Sequence, residues 1–240
     1  MLPPDLVAGK RHTGKSFFIR WILYSCRDYW PRGFIFSKTI FNGYWNKLIP
    51  KRFQFDKWDP TVVYAIMEQQ KALTAYVEEN PDCGIDPRIF IILDDCVDEH
   101  TRYDPVLNQL YLQSRHFNIW LIQTSQYLKL LPPAMRTNID LVISFVQLHK
   151  GTREVIAEDF MSDLPKEYVM AMFDSLVPPR GAMPEEQDVY KGMFIAFNQR
   201  NNERNAFDRV YFGKASEPPK FLLGSRTWWG DEISQVIETN

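Results

Sequence analysis

Short runs of continuous apolar residues alternate along the chain with longer stretches in which apolar residues recur every three or four positions. The first run, DLVAG at residues 5–9, predicts a short buried strand. GKSFFIRWILYSCRDYW follows at once and predicts a helix. Its core stripe would run through Phe18, Ile22 and Cys26, with Phe17 and Trp21 beside it, and Pro31 would stop it. RGFIFSKTI reads as a second strand, and residues 41–59 are aromatic and basic without a clear period. DPTVVYAIMEQQKALTAYVEEN predicts a long helix with Asp59 as N-cap and Pro60 in the first turn. RIFIILDD is a third strand, DPVLNQLYLQSRH a helix, NIWLIQTSQ a fourth strand and DLVISFVQL a fifth.

Strands that are apolar throughout and alternate with helices belong to parallel sheets covered on both faces. The expected fold class is therefore α/β, with a mostly parallel central sheet. Beyond the fifth strand, residues 150–178 predict two short helices, the second being PKEYVMAMFDSLV. KGMFIAFNQ and DRVYFGK read as a late strand pair, a hairpin at the sheet edge. Residues 1–214 are expected to form one domain with a helical insertion or lid at 150–190. The tail at 215–240, with RTWWGDE, takes no assignment.

Composition narrows the field. The chain has 240 residues, 45% apolar and 15% aromatic, enough for a sizeable core and unlike a disordered chain. Its net charge of −2 argues against a small basic protein that coats nucleic acid by bulk charge. Three widely spaced cysteines and four histidines without ligand spacing point to reduced thiols and no structural zinc. No apolar stretch approaches the ~18 residues that span a bilayer, and no targeting segment is expected.

Candidate chemistry concentrates in three places. Gly9 to Ser16 (G-KRHT-GKS) fits the phosphate-loop pattern G-x-x-x-x-G-K-[ST] in full. Gly9 would let the chain leave its strand where a Cβ obstructs, and Lys10, Arg11, His12 and Thr13 would turn backbone N–H groups inward as an anion nest. Gly14 would allow close packing at the helix start, Lys15 would reach the β- and γ-phosphates of ATP, and Ser16 would offer its hydroxyl to Mg²⁺. The helix adds its positive end. The second place is the end of RIFIILDD. Asp94 is the candidate Mg²⁺ carboxylate, acting through water. Asp95, on the opposite side of the strand, is the candidate base that polarises the attacking water. A solvated strand end is the alternative.

The third place is the polar exit of the fourth strand. Gln126 is the candidate γ-phosphate sensor and Gln123 the lesser one. Before that strand, Arg115 could project into a neighbouring subunit's nucleotide, with Arg136 as a second candidate. For DNA, Lys47, Lys51, Arg52 and Lys57 in the basic-aromatic stretch and Lys129 are candidates. Cover for a sheet edge is the stronger reading of that stretch. The arginine-rich NQRNNERNAFDR reads as a subunit interface or a solvated hairpin.

AGKRHTGKS, FIILDD and SRHFNIWLIQTSQ followed by RTNIDLVISF together resemble the FtsK/HerA superfamily of P-loop ATPases, in particular the genome-packaging ATPases of nucleocytoplasmic large DNA viruses and virophages. The resemblance covers residues 5–146. It implies a RecA-like (ASCE) fold in which the fourth strand lies between the phosphate-loop strand and the Asp94 strand. It implies a ring of five or six subunits around double-stranded DNA, with capsid or membrane partners, in the host cytoplasm or the virion. It makes Lys15, Asp95, Gln126 and, in trans, Arg115 the catalytic set. Asp95 departs from the glutamate that cellular members carry there. A monomeric phosphotransferase and a non-motor, ATP-dependent scaffold are the competing expectations.

Overall fold

The computed structural model describes residues 4–10, 13–147, 149–200 and 205–232. In chain order the elements are β1 (Asp5–Ala8), α1 (Lys15–Ser25), β2 (Gly33–Ser37), β3 (Gln54–Phe55), α2 (Pro60–Glu79), β4 (Ile89–Asp94), α3 (Pro105–Gln113), β5 (Ile119–Ser125), α4 (Pro133–Arg136), β6 (Leu141–Phe145), α5 (Lys150–Asp159), α6 (Lys166–Ser175), α7 (Pro184–Tyr190), β7 (Met193–Asn198), β8 (Val210–Lys214) and α8 (Arg226–Trp229). The strands hydrogen-bond in the order β3-β2-β4-β5-β1-β6-β7-β8. β2 with β3, β2 with β4, β4 with β5 and β1 with β6 pair in parallel, whereas β6–β7 and β7–β8 are antiparallel. The mostly parallel sheet, the late hairpin and the place of the Gln-Thr-Ser strand between its two partners agree with the sequence expectation.

By contact density the chain forms two compact units, one of residues 22–123 with the described part of 219–240, the other of residues 5–21 and 124–218. In the first unit, β4 is buried along its whole length, as its unbroken apolar run requires. Helix α2 starts where Asp59 accepts from the Thr61 and Val62 N–H groups at 2.9 and 3.2 Å, with Pro60 in its first turn. Such a cap is worth ~1 kcal/mol. Asp104 caps α3 through Oδ1 and takes the Trp58 indole N–H on Oδ2 at 3.1 Å.

That indole belongs to the stretch without a period. Trp45, Leu48, Ile49 and Trp58 are all buried there, and β3 forms within it as a two-residue edge strand. The unassigned tail closes over this edge. Leu223 N–H donates to the Leu48 carbonyl, Ser225 N–H donates to the Pro31 carbonyl at 3.0 Å, and the Trp228 ring stacks on Phe53 at 5.3 Å. Gly224 (φ +78°) makes this approach possible, since a Cβ would lie 2.6 Å from the Pro31 oxygen.

Three local expectations are corrected. The buried face of α1 runs through Phe18, Ile19 and Leu23, while Phe17 is exposed and Trp21, Ile22 and Cys26 are half-buried. The i, i+4 row that faces inward starts at Lys15, which the motif places, and not at Phe18. Asp95 lies outside β4 with φ +51°, so strand alternation does not set its direction. The segment expected as a helical insertion or lid at 150–190, with two short helices over 150–178, carries a third helix, α7, beyond them.

Candidate nucleotide site

In the unit of residues 5–21 and 124–218, β1 leads directly into the loop at Gly9. Gly9 N–H donates to the carbonyl of Ser125, the last residue of β5, at 3.1 Å. A Cβ on Gly9 would meet Thr13 Oγ1 at 2.5 Å and Phe145 Cβ at 3.2 Å, so the first glycine is required by space. Gly14 is required by conformation, with φ +109° and Phe145 Cε1 3.1 Å from where its Cβ would sit. Thr13 Oγ1 donates to the Lys10 carbonyl at 2.9 Å. The Lys15 side chain is buried and its ammonium donates to the Gly9 and Lys10 carbonyls at 2.7 and 3.0 Å. Ser16 follows as the second residue of α1, half-buried. Arg11 and His12, expected in the same nest, lie outside the described residues.

Sequence reasoning missed the floor of this loop. Phe145 at the end of β6, Phe18 of α1 and Phe194 of β7 meet edge to face, with centroids 4.9 to 6.1 Å apart. Gly192 (φ +77°) comes within 3.5 Å of the position of a Gly14 Cβ.

Beyond Ser125, whose Oγ accepts from the Tyr127 N–H at 3.2 Å, the chain leaves β5 at the half-buried Gln126. Gly9 and Gln126 therefore leave two hydrogen-bonded strands at the same level. Gln123 is fully buried and accepts from the Tyr111 hydroxyl, whose pKa burial pushes up. Its oxygen is tied into the core, which disfavours the lesser sensor candidate.

In the other unit, Asp94 ends β4 as a buried residue, 6% exposed, with its Oδ2 accepting from Ser37 Oγ at 3.0 Å. Asp95 follows half-buried. The Cys96 thiol is fully buried, donates to the Phe36 carbonyl, and has its pKa raised by burial first and by Asp94 second. Asp98 pairs with Lys38 at 2.7 Å, and that hydrogen bond is the main cause of a pKa lowered to about 2. Arg115 lies half-buried in the turn after α3.

Other candidates are assigned elsewhere. Arg136 is ion-paired with Asp159 of α5 at 3.3 Å. Arg52 donates to the Trp228 and Trp229 carbonyls and to Glu232, and Lys51 N–H also donates to Glu232, so Arg52 staples the tail instead of facing DNA. The Lys47, Lys51, Lys57 and Lys129 side chains are exposed. In the arginine-rich segment, Arg200 pairs with Asp140 and Arg209 with Asp163, while residues 201–204 lie outside the described residues.

The residues present fit a magnesium nucleotide. Within its own unit the loop has glycines at its crowded points, α1 starts inside it, and Ser16 offers a hard oxygen donor of the kind Mg²⁺ takes alongside phosphates. Among the described residues no three His, Cys, Asp or Glu side chains cluster as an all-protein metal cage.

Comparison with known proteins agrees with this arrangement. The family model described as Poxvirus A32 protein matches residues 6–165, more than half of the chain. The chain belongs to the poxvirus A32 protein family. The match of this A32-family chain takes in the phosphate loop, β4 and β5 together. The chain is 25% identical over 214 residues to uncharacterized protein 075L of Invertebrate iridescent virus 6, covering 88% of this chain and 77% of that one. It is 24% identical to uncharacterized protein 015R of Frog virus 3, covering 97% and 70%. Its fold is that of the genome packaging NTPase B204 from Sulfolobus turreted icosahedral virus 2, solved with ATP-gammaS, at a TM-score of 0.56 and 13% identity over 92% of this chain and 98% of that one. The pCW3 conjugation coupling protein TcpA, also with ATPgS, gives a TM-score of 0.59 at 13% identity over 99% and 64%. The A32-family chain thus has the RecA-like P-loop fold of these solved structures. No helix among the described residues is long and apolar enough to cross a membrane.

Proposed function

We propose that the chain is an ATP-hydrolysing motor that translocates double-stranded DNA, packaging a viral genome into a capsid. The observation that carries the reading is the loop from Gly9 to Ser16. Two sterically required glycines and a buried lysine sit on an apolar floor, at the entry to a helix. A structural turn needs none of these together. The names of the fold neighbours, a genome packaging NTPase and a conjugation coupling protein, support DNA as the substrate.

In this reading the loop amides and Lys15 bind the β- and γ-phosphates, and Ser16 and Asp94 hold Mg²⁺. The bound cation neutralises charge that develops on the phosphates. Asp95 takes the proton of the attacking water, Gln126 senses the γ-phosphate, and Arg115 of a neighbouring subunit stabilises the transition state. The motor acts as a ring of five or six copies, with a capsid or membrane protein as docking partner, in the host cytoplasm or the virion. Lys47, Lys51, Lys57 and Lys129 are exposed cations for phosphate contacts, which read charge and not sequence.

ATP turnover measured with and without duplex DNA tests this. Turnover rises with DNA and falls to background in Lys15→Ala. Turnover indifferent to DNA of every length removes the motor.

A further inference from the structure

The last two residues of β2 and the residue after them hold the last residue of β4 and two residues of the acidic turn that follows it. The Phe36 carbonyl accepts from the Cys96 thiol at 2.6 Å, Ser37 Oγ donates to Asp94 Oδ2 at 3.0 Å, and Lys38 Nζ donates to Asp98 Oδ2 at 2.7 Å. The turn is thereby tied at its start, its middle and its end. Asp95 sits inside it in the left-handed region, at a cost of ~1–2 kcal/mol for a residue with a Cβ. Neighbouring contacts must hold such a residue in place.

Ser37 is fully buried. Its oxygen accepts from the Thr39 N–H at 3.3 Å and sits 3.1 Å from Thr39 Oγ1, which leaves its own hydrogen for the carboxylate. The register supports the same pairing, since Ser37 is the direct partner of Asp94 across the parallel ladder.

We propose that Ser37 is a positioning residue for ATP hydrolysis. It fixes the orientation of the Asp94 carboxylate toward the cation and, through it, the start of the turn that carries Asp95. The inference rests on the reading of the chain as an Mg²⁺-dependent ATPase. A hydroxyl that holds a metal-binding carboxylate acts on metal affinity and on the chemical step, and leaves nucleotide affinity alone.

The test is Ser37→Ala, with Ser37→Thr as the conservative variant. Mn²⁺ binding to the ATPγS complex is read by electron paramagnetic resonance, nucleotide affinity is read in EDTA, and kcat and KM are measured for ATP. Ser37→Ala is expected to weaken Mn²⁺ binding and lower kcat, each about tenfold. Its KM and its EDTA affinity stay within about twofold, and Ser37→Thr recovers most of both losses. Unchanged Mn²⁺ affinity in Ser37→Ala overturns the proposal, whatever kcat does. So does a loss that comes with a lowered melting temperature and an equal loss of EDTA affinity, which marks a merely structural serine. Should the wild type bind Mn²⁺ and nucleotide without hydrolysing ATP, the ATPase reading fails, and the Mn²⁺ comparison still decides whether Ser37 orients Asp94.

Discussion

The Lys15 ammonium donates to the carbonyl of Gly9 at 2.7 Å, closing the phosphate loop on its own first residue. A second bond, to Lys10 at 3.0 Å, holds it there. A triphosphate must therefore exchange these carbonyls for its own oxygens, a trade that charge favours. Lys15→Ala is expected to lower ATP turnover by at least about 100-fold, the usual scale for losing one transition-state charge partner. Urea unfolding of the variant checks that stability falls by no more than about 2 kcal/mol.

Gly14→Ala places a Cβ at φ +109° and 3.1 Å from Phe145 Cε1. Strain of this kind costs ~1–3 kcal/mol. Nucleotide affinity should fall along with stability, because the loop cannot keep its path. Isothermal titration with ATPγS beside urea unfolding measures both, and normal affinity in a stable variant would contradict the geometry of the loop.

Arg52 and Trp228 hold the tail to the β3 edge. Trp228→Ala removes a nearly buried indole from that contact, for which ~3 kcal/mol is the expected loss. Limited proteolysis should then cut the variant near residue 225 well before the parent. Arg52→Lys should be cut as well, since one ammonium cannot reproduce a guanidinium fork spread over two carbonyls and a carboxylate.

Lys38 sets an acid-side dependence. Its hydrogen bond to Asp98 is the main reason that carboxyl titrates at about 2 and not at its ordinary 3.8. A carboxyl whose pKa is depressed on folding contributes stability above its unfolded value and loses it as pH falls through the folded one. The contribution of the pair is present above pH ~4 and fades toward pH ~2. In denaturant titrations, Lys38→Met should be less stable than the parent at pH 6 and should converge with it near pH 2. Parallel curves throughout would show that another group sets the Asp98 pKa.

Tyr111→Phe leaves the Gln123 oxygen buried without its donor. That deficit is worth ~1–3 kcal/mol, and turnover per folded molecule should not change. A selective loss of kcat would return Gln123 to the candidates for sensing phosphate.

What the sequence made legible follows from how local each constraint is. The phosphate loop could be read because its spacing answers to one ligand geometry carried within eight residues. β4 and β5 could be read because strands covered on both faces are apolar at every position. The stretch at 41–58 showed no period because its residues pack on loops and on a tail more than 170 positions away. Arg52 looks like any basic surface residue until that tail is in place. Phe145 looked like an ordinary strand residue and proves to be the floor of the loop. Ser37 had no signal at all, because its meaning depends on the register of two strands separated in the chain by α2.

The pairing of β1 with β6, Asp5 opposite Leu141, together with the return of residues 226–232 to the β3 edge, has a consequence for biosynthesis. β1 has no parallel neighbour from β6 until residues 141–145 leave the ribosome. The edge made near residue 54 stays uncovered until the final turn of α8 emerges. Translation therefore runs well ahead of folding, and the nascent polypeptide carries open strand edges of the kind that recruit chaperones.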